Sequence, residues 1–375
     1  MEKVLFLTAH NLFPVNNGGA IFSLAFLCKI ISSYGENVEV FCPKLESVKI
    51  PNEFKWFENL NCYEYDKITK NERVFSLEIV NKLSSVLNND YDIIVIDGLY
   101  IGEVIFQNSK KIVNSRIIFL EHNVEYINYY ERYSFEINFK YSKLKQWIKK
   151  IHFSFKVVRF KKYEIKILKF ADSVYTFTEK DANTLMKISK IKVKSLFLVP
   201  LQTRVKYQYY QNKKLLILGS MWWYPNIEGT LWFVNSVFNK ILEYDPSYKL
   251  YIVGSNPTNE IIALNSNNII ITGNVESVDE YIEQCDLLIV PNHLGTGLKV
   301  KILEGMLKGI PVLTTVESVN GYSKELIPTE YIFNSAEDAF DKIIKVNESL
   351  IKKNNYVDNF IHLLEKIRND GEIVT

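Results

Sequence analysis

The residues best suited to chemistry lie between Pro291 and Thr315, in the segment PNHLGTGLKVKILEGMLKGIPVLTT. Gly295 and Gly297 let the backbone approach a ligand closely, because glycine has no Cβ. The helix predicted after them offers free N–H groups and the positive end of its dipole, which favour a phosphate. Lys301 and Glu304 are three residues apart and therefore share a helix face. A lysine for phosphate and a carboxylate for sugar hydroxyls at one helix start predict a nucleotide site.

Length and composition indicate which kind of molecule must carry this site. The chain has 375 residues, which suits two domains, and its 47% hydrophobic content is enough for sizeable cores. It contains four cysteines whose spacing matches neither a metal nor a redox motif: Cys28, Cys42, Cys62 and Cys285. These predict reduced thiols in a cytoplasmic protein. No apolar run was expected to approach the roughly 18 residues of a membrane span, and the start MEKVLFLTAH is not typical of a secretion signal.

The N-terminal half alternates apolar runs with helical patterns. Strands are predicted at 3–9, 37–42, 92–97, 116–120, 173–177 and 196–199. Helices are predicted at 19–34, 76–88, 100–109, 127–170 with breaks, and 179–188. This alternation indicates an α/β fold with a parallel doubly wound sheet, in which ligands bind beyond the carboxyl ends of the strands.

The C-terminal half restarts the same pattern. KLLILGS predicts a strand followed by a turn at Gly219 and Ser220, and a helix is expected to start near Asn226. Further strands are predicted in YKLYIVGSNP, IIITGNV and DLLIVP, which leads into the glycine-rich segment. Gly309 and Pro311 then end the helix before the strand PVLTT. We therefore divide the chain into a domain at 1–200, a linker at 201–212, a domain at 213–345 and a terminal helix at 346–375.

Two histidines in the N-terminal half follow predicted strands. His122 comes directly after the apolar strand RIIFL, in the sequence LEHNVE. His10 follows the first strand, beside the loop that contains Pro14, Gly18 and Gly19. Position at a strand's carboxyl end makes His122 the candidate catalytic residue and His10 the second choice, although a structural role is the more common one for a lone histidine. For the paired glycines, simple turn geometry is by itself the better explanation, and ligand binding is the alternative.

The wording of these motifs resembles the retaining GT-B glycosyltransferases of family 4, the group 1 glycosyl transferases. G-T-G-L-K-V-K-I-L-E, G-S-M-x-x-x-P-N, I-V-G-S-N-P and H-N-V-E carry the resemblance. In that family a glutamate at the position of Glu304 holds the nucleotide ribose, and another glutamate eight residues earlier contacts the donor sugar. Thr296 occupies the earlier position here, which leaves the donor sugar open.

The resemblance implies a GT-B fold, with two Rossmann-like domains and a cleft between them, the acceptor on the first and the donor on the second. It implies retaining transfer from a UDP- or GDP-sugar to a glycan or lipid-linked acceptor, in surface polysaccharide or glycoconjugate synthesis, with neither metal nor cofactor. His122 would be catalytic. The expected nucleotide-sugar ligands are Gly18, Gly19, Gly219, Ser220, Thr296, Gly297, Leu298, Lys301 and Glu304.

The stretch 140–169 carries an unusual charge. It contains eleven lysines and arginines but one acid, Glu164, whereas the whole chain has a net charge of +2. Aromatic residues such as Trp147 and Phe153 are interleaved with the basic ones. One interpretation is a solvated helical face above a buried aromatic stripe. A second is attachment to the anionic inner face of the plasma membrane. Binding of nucleic acid is disfavoured, because no nucleic-acid module is present and the remaining chain is acidic.

Two other functions remain open at this point. A UDP-sugar epimerase could use the same fold and the same nucleotide site. A non-catalytic subunit could bind a nucleotide sugar or scaffold a polysaccharide complex, and the loss of the earlier glutamate at Thr296 agrees with that function.

Overall fold

The computed structural model describes residues 2–13, 15, 18–44, 50–66, 77–196, 198, 212–322 and 326–349. These residues form two compact units. Among the described residues, the first unit comprises 2–130 and 140–198, and the second comprises 131–139 and 212–349. Pro14, the predicted linker apart from Asn212, and the predicted terminal helix beyond Ser349 lie outside the described residues.

The first unit contains a sheet of seven strands in which every neighbouring pair is parallel. The strands are β1 (Val4–Thr8), β2 (Val38–Pro43), β3 (Asn61–Tyr65), β4 (Ile93–Asp97), β5 (Arg116–Glu121), β6 (Ser173–Thr176) and β7 (Val193–Ser195). Their order is β3-β2-β1-β4-β5-β6-β7. Strands β1, β2 and β4 are buried along their whole length, which explains why they are predominantly apolar.

The helices of the first unit connect these strands. They are α1 (Gly18–Tyr34), α2 (Leu77–Val86), α3 (Leu99–Gln107), α4 (Glu125–Lys140, whose second half belongs to the other unit), α5 (Lys143–Leu168) and α6 (Glu179–Ser189). The Thr178 side chain caps α6 by accepting a hydrogen bond from the Asp181 N–H, as expected from the sequence. The sequence analysis missed β3, and β7 begins three residues before the predicted strand at 196–199.

We expected no segment to be apolar enough to span a bilayer, and by the criteria of length and composition this was wrong. Residues Gly18–Asn37, which contain α1, have the length and hydropathy of a membrane-spanning helix. Seven residues of α1 are buried in the protein, Phe22, Phe26 and Ile30 among them. The burial of these side chains accounts for the apolar composition of the segment without a membrane.

The second unit contains a parallel sheet of six strands. They are β8 (Lys214–Leu218), β9 (Lys249–Val253), β10 (Ile269–Gly273), β11 (Leu287–Val290), β12 (Val312–Thr315) and β13 (Ile332–Phe333), in the order β10-β9-β8-β11-β12-β13. The helices are α7 (Tyr224–Phe233), α8 (Asn239–Tyr244), α9 (Asn259–Ile262), α10 (Asp279–Gln284), α11 (Val300–Leu307) and α12 (Ala336–Ser349). A π-helical turn, Val234–Phe238, joins α7 to α8.

Strand order identifies one crevice in each unit. The chain reverses its direction across the sheet between β1 and β4 in the first unit, and between β8 and β11 in the second. At such a switch point the connections leave on opposite faces, which opens a crevice beyond the carboxyl ends of the two strands. The sequence-predicted histidines follow β1 and β5, and the predicted phosphate turn follows β8. The topology therefore places both groups of candidate residues where this fold binds ligands.

Candidate functional site

The crevice of the first unit holds a cluster of two histidines and an aspartate. His10 follows β1, Asp97 ends β4 and His122 follows β5. The Nε2 of His122 lies 2.6 Å from Oδ1 of Asp97. The Thr8 hydroxyl donates to the other oxygen of Asp97 at 2.6 Å, and accepts from the backbone N–H of His10 at 3.0 Å. The rings of His10 and His122 lie 5.0 Å apart. Three neighbouring strands thus converge on one carboxylate.

The members of this cluster differ in how the protein shifts their pKa values. Burial alone would raise the pKa of Asp97, but the charge and hydrogen bond of His122 outweigh burial, so that pKa lies below its ordinary value. Burial, helped by nearby His122, lowers the pKa of His10 to about 4 in spite of the attraction of Asp97. His10 is therefore neutral at pH 7, and Asp97 is ionised. The His122 side chain remains 10% exposed and His10 is also partly exposed, whereas Asp97 is fully buried, so a ligand can reach the two imidazoles but not the carboxylate.

Among the residues that the structure describes, His10, Asp97 and His122 form a group that could hold a metal ion, since their ligand atoms lie within 4.8 Å of one another. Two ligands that are 2.0–2.1 Å from a tetrahedral zinc would be separated by about 3.3 Å. The 2.6 Å between His122 and Asp97 is too short for that and fits a charge-assisted hydrogen bond. The arrangement is that of a histidine oriented by a carboxylate.

The paired glycines lie at the start of α1, beside this cluster. A Cβ added to Gly19 would lie 2.3 Å from Cε1 of His10, so the imidazole ring occupies the space of a side chain. Packing against His10 is therefore a sufficient reason for glycine at position 19. Donor binding by Gly18 and Gly19 stays a prediction that rests on their backbone N–H groups at the helix start.

The glycine-rich loop of the second unit leads into α11. Gly295 and Gly297 have φ values of 89° and 76°, which side chains disfavour, so the loop needs glycine at both places. The Lys299 ammonium donates to the carbonyls of Gly295 at 2.7 Å and of Thr296 at 3.0 Å. Leu298 is almost completely buried. Lys299 therefore holds the loop closed on itself, a structural task that its competitor Lys301 does not share.

Lys301 points toward the turn after β8. Its ammonium donates to Oδ1 of Asn226 at 2.7 Å and to Oδ1 of Asn292 at 3.3 Å. A Cβ added to Gly219 would lie 3.0 Å from the same nitrogen, and Asn226 also donates to the carbonyl of Ser220 at 2.9 Å. The structure thus brings together Gly219, Ser220 and Lys301, three residues that the sequence analysis assigned to one site.

Lys301 is a partly buried ammonium with no carboxylate partner among the described residues. Within the part of the chain that the structure describes, it forms no ion pair with a carboxylate. Burial, together with the charge of Lys299, lowers the pKa of Lys301 to about 7, and Glu304 only partly opposes this. Amide oxygens satisfy its hydrogen bonds but not its charge. A bound anion at the Gly219 turn would supply the missing charge.

The contacts around Glu304 and Thr296 support ligand binding less directly than those of Lys301. Glu304 is the fifth residue of the eight-residue α11, not its start, and its carboxylate lies 3.4 Å from the Lys308 ammonium. Its side chain is 23% exposed, and its role toward a ribose stays a prediction. The backbone N–H of Gly295, next to Thr296, donates to the carboxylate of Glu131 at 2.7 Å. Glu131 also accepts from the Tyr224 hydroxyl at 3.1 Å.

Several residues of these clusters had not been singled out from the sequence. Asp97 lies 25 residues before His122, and Asn226 lies 75 residues before Lys301. Asp97 could have been found as an aspartate that ends the apolar strand IIVID. Nothing in the sequence distinguishes Glu131 from the other acids of α4, because only tertiary contacts bring it to the glycine loop.

The second unit, which contains Lys301 and the glycine turn, also resembles known proteins in sequence. Residues 212–349 match the model of the family described as glycosyl transferases group 1. Over 341 residues the chain is 22% identical to an uncharacterized 44.6 kDa protein in the cps region of Klebsiella pneumoniae, with 84% of this chain and 83% of that protein covered.

Solved structures resemble the whole chain at low sequence identity. Anabaena HepE in complex with UDP-glucose has a TM-score of 0.64 and 12% identity, covering 98% of this chain and 95% of HepE. A variant of S. aureus TarM, in complex with ligands that include alpha-GlcNAc-glycerol and UDP, has a TM-score of 0.64 and 10% identity, covering 100% and 97%. A UDP-forming trehalose-phosphate synthase from Burkholderia vietnamiensis has a TM-score of 0.62 and 10% identity, covering 99% and 95%. The chain therefore has the GT-B glycosyltransferase fold, and its second unit matches the group 1 glycosyl transferases.

Proposed function

We propose that this protein is a retaining glycosyltransferase that uses a nucleotide-diphosphate sugar as donor. The observation that carries the proposal is Lys301, a partly buried ammonium that forms no ion pair within the described residues and is directed at the glycine turn after β8. Diphosphate is the anion that this arrangement suits, because the turn lets phosphate oxygens approach the backbone while Lys301 supplies the charge. The family match over residues 212–349, which contain this site, supports the same conclusion.

In the proposed reaction the bond between the anomeric carbon and the diphosphate oxygen breaks, and an acceptor hydroxyl oxygen takes its place on the same face. The proton of that hydroxyl leaves with the nucleoside diphosphate. Negative charge develops on the leaving diphosphate, so groups that stabilise this charge accelerate the reaction. We assign this task to Lys301 and to the N–H groups of the glycine-rich loop, which would make the reaction independent of a metal ion.

We propose UDP-sugars as the donors to test first. HepE was solved with UDP-glucose and the TarM variant with UDP, and the trehalose-phosphate synthase is described as UDP-forming. A glycan or lipid-linked acceptor in polysaccharide synthesis is proposed from the relative in a cps region. Glu304 is proposed to hold the ribose.

His122 is proposed to position the donor sugar or the acceptor hydroxyl. Since Asp97 is ionised and accepts from Nε2, it favours the tautomer that carries a proton on that nitrogen. In that tautomer, Nδ1 is the nitrogen that can accept a hydrogen bond from a sugar hydroxyl. Asp97 is accordingly a positioning residue, in that it acts on substrate only through His122.

The test is a thermal-shift screen of UDP- and GDP-sugars, followed by an assay of donor consumption with and without a membrane lipid extract. A ligand that binds the folded state raises the melting temperature by mass action. Release of UDP that requires the extract supports transfer. Turnover of UDP-N-acetylglucosamine without any acceptor would instead identify an epimerase, and binding without turnover would identify a non-catalytic subunit. Lys301→Ala should abolish the thermal shift, whereas Lys240→Ala, on the exposed face of α8, serves as its matched control.

A further inference from the structure

Helix α5 presents an apolar surface to solvent. Trp147 and Phe155 are 65% and 70% exposed, and three aliphatic residues of the same helix are also exposed: Ile148, Ile151 and Val158. We call these five residues the apolar stripe. Single exposed apolar residues are ordinary, but five on one helix are a contiguous patch of the kind that marks an interaction site.

The apolar stripe lies on one side of α5. At about 100° per residue, its five side chains project within an arc of about 100°. The buried residues of the helix project from the opposite side, where partly buried Phe160 also lies, and they are Phe153, Glu164, Ile167 and Leu168. Phe153 and Phe160 lie 5.2 Å and 5.0 Å from the ring of Tyr129, measured between ring centroids, so they anchor α5 on α4. The sequence analysis had expected Phe153 at a membrane, and the structure places Phe155 in the exposed position instead.

The charged residues around the stripe all have one sign. Lys143 and Lys150 border one edge, Lys145 and Arg159 border the other, and Lys162 lies within the arc, all of them exposed. The only acid between residues 140 and 169 is Glu164. Its carboxylate is buried, and it accepts the backbone N–H groups of Glu125 at 2.8 Å and Tyr126 at 3.1 Å, where it caps α4. The exposed side of α5 therefore carries no negative charge to offset its lysines and arginine.

We propose that this side of α5 docks onto the surface of an anionic lipid bilayer. The chemistry of the surface matches that partner on two counts. Trp147, Phe155 and the aliphatic residues can enter the boundary between headgroups and acyl chains, and the basic residues on both edges can contact anionic headgroups. A phosphate polymer would use the charge but leave Ile148, Ile151 and Val158 in water. A second copy of the same face would bring like charges together.

The proposal concerns attachment and does not depend on which reaction the protein catalyses. The helix lies along the surface and does not cross the bilayer, since nine of its residues are lysine or arginine. Binding should be reversible and sensitive to salt, because exposed charges are screened within about 10 Å at 0.1 M ionic strength.

The test is flotation of the full chain with vesicles of phosphatidylcholine alone, or of equal parts phosphatidylcholine and phosphatidylglycerol. We expect binding to the anionic vesicles at about 0.1 M salt, release at about 1 M salt, and no binding to the neutral vesicles. A basic variant, in which Lys143, Lys150, Arg159 and Lys162 are replaced by Gln, should bind at least about tenfold more weakly. The apolar variant Trp147→Ser/Phe155→Ser should lose binding to a similar extent.

Matched controls separate the stripe from net charge and from folding. Replacing four exposed lysines elsewhere in the first unit by Gln removes the same charge: Lys110, Lys180, Lys187 and Lys192. Val113→Ser removes an apolar side chain that is exposed in a loop. Both controls should bind as the unchanged protein does, and all variants should keep their melting temperature. Brominated acyl chains should quench the fluorescence of Trp147, and Trp147→Phe should abolish that part of the quenching.

Three outcomes would overturn the proposal. One is no binding to anionic vesicles at low salt. Another is equal loss of binding in the basic variant and in its charge-matched control, which would indicate attraction by net charge alone. The third is self-association or nucleic-acid binding that the Trp147→Ser/Phe155→Ser variant abolishes while vesicles are ignored, which would assign the stripe to a different partner.

Discussion

Binding of a nucleotide sugar should be coupled to uptake of a proton by Lys301. The free protein holds this partly buried ammonium between Asn226 and Asn292 with a pKa of about 7. A diphosphate beside it restores favourable charge and raises that pKa toward the ordinary value of about 10.4. Because the donor binds the protonated form, its affinity should fall as the pH rises above 7.

The magnitude follows from the fraction of Lys301 that is charged before binding. That fraction falls from about 0.9 at pH 6 to about 0.03 at pH 8.5 for a pKa of about 7. The affinity should therefore fall about thirtyfold over this range, which is about 2 kcal/mol. At pH 8 the complex should take up about 0.9 protons, since the free lysine is mostly neutral and the bound one is charged.

Isothermal titration calorimetry with UDP-glucose measures both quantities, because heats in buffers of different ionisation enthalpy report the protons exchanged. UDP-glucose is a suitable probe because its diphosphate stays doubly ionised across the range. Lys301→Arg is the matched variant: the guanidinium stays charged, so the pH dependence should vanish whatever the affinity. Lys301→Ala should weaken UDP much more than uridine. An affinity that is constant between pH 6 and pH 8.5, or a slope that survives in Lys301→Arg, would refute this account of Lys301.

Three further predictions concern other residues. Glu304→Ala should weaken UDP binding at least about tenfold by loss of charge-assisted bonds to the ribose, and unchanged affinity in calorimetry would remove it from the site. His122→Ala should lower kcat at least about a hundredfold and Asp97→Asn at least about tenfold, and both variants should keep their affinity for UDP. Nitrogen-15 NMR should show that His122 loses its Nε2–H tautomer in Asp97→Asn. Glu121→Gln should stabilise the protein at pH 8 but not at pH 4.5, as measured by urea unfolding. Burial, helped by Glu164, raises the pKa of Glu121 well above 4.5, so the free energy of unfolding falls as the pH rises past 4.5. An equal effect of the substitution at both pH values would contradict this.

Local sequence was enough to predict most elements of both units. Apolar runs such as IIVID and RIIFL form buried parallel strands, and Thr178 caps α6 as its position predicts. The glycine-rich loop and the helix after it are also found where the sequence places them. Strand β3 was missed because NCYEY is only partly buried and alternates little, so it depends on pairing with β2.

The sequence also selected His122, Gly219 and Ser220, which follow the carboxyl ends of strands, and Lys301, which lies near the start of the helix after the glycine-rich loop. It could not show that Lys301 would lack a carboxylate partner among the described residues, since that depends on which side chains surround it after folding. It could not separate Phe153 from Phe155 either, because the helical period does not say which side of α5 meets the protein.

Only the tertiary structure decided which residues share an environment. Asp97 and His122 meet because β4 and β5 are neighbours in the sheet, although 25 residues separate them in the chain. Asn226 meets Lys301 because β8 and β11 are neighbours where the strand order reverses. Local sequence determines helices and strands through short-range propensity and periodicity, whereas the pKa of a side chain depends on burial and on charges brought close by folding.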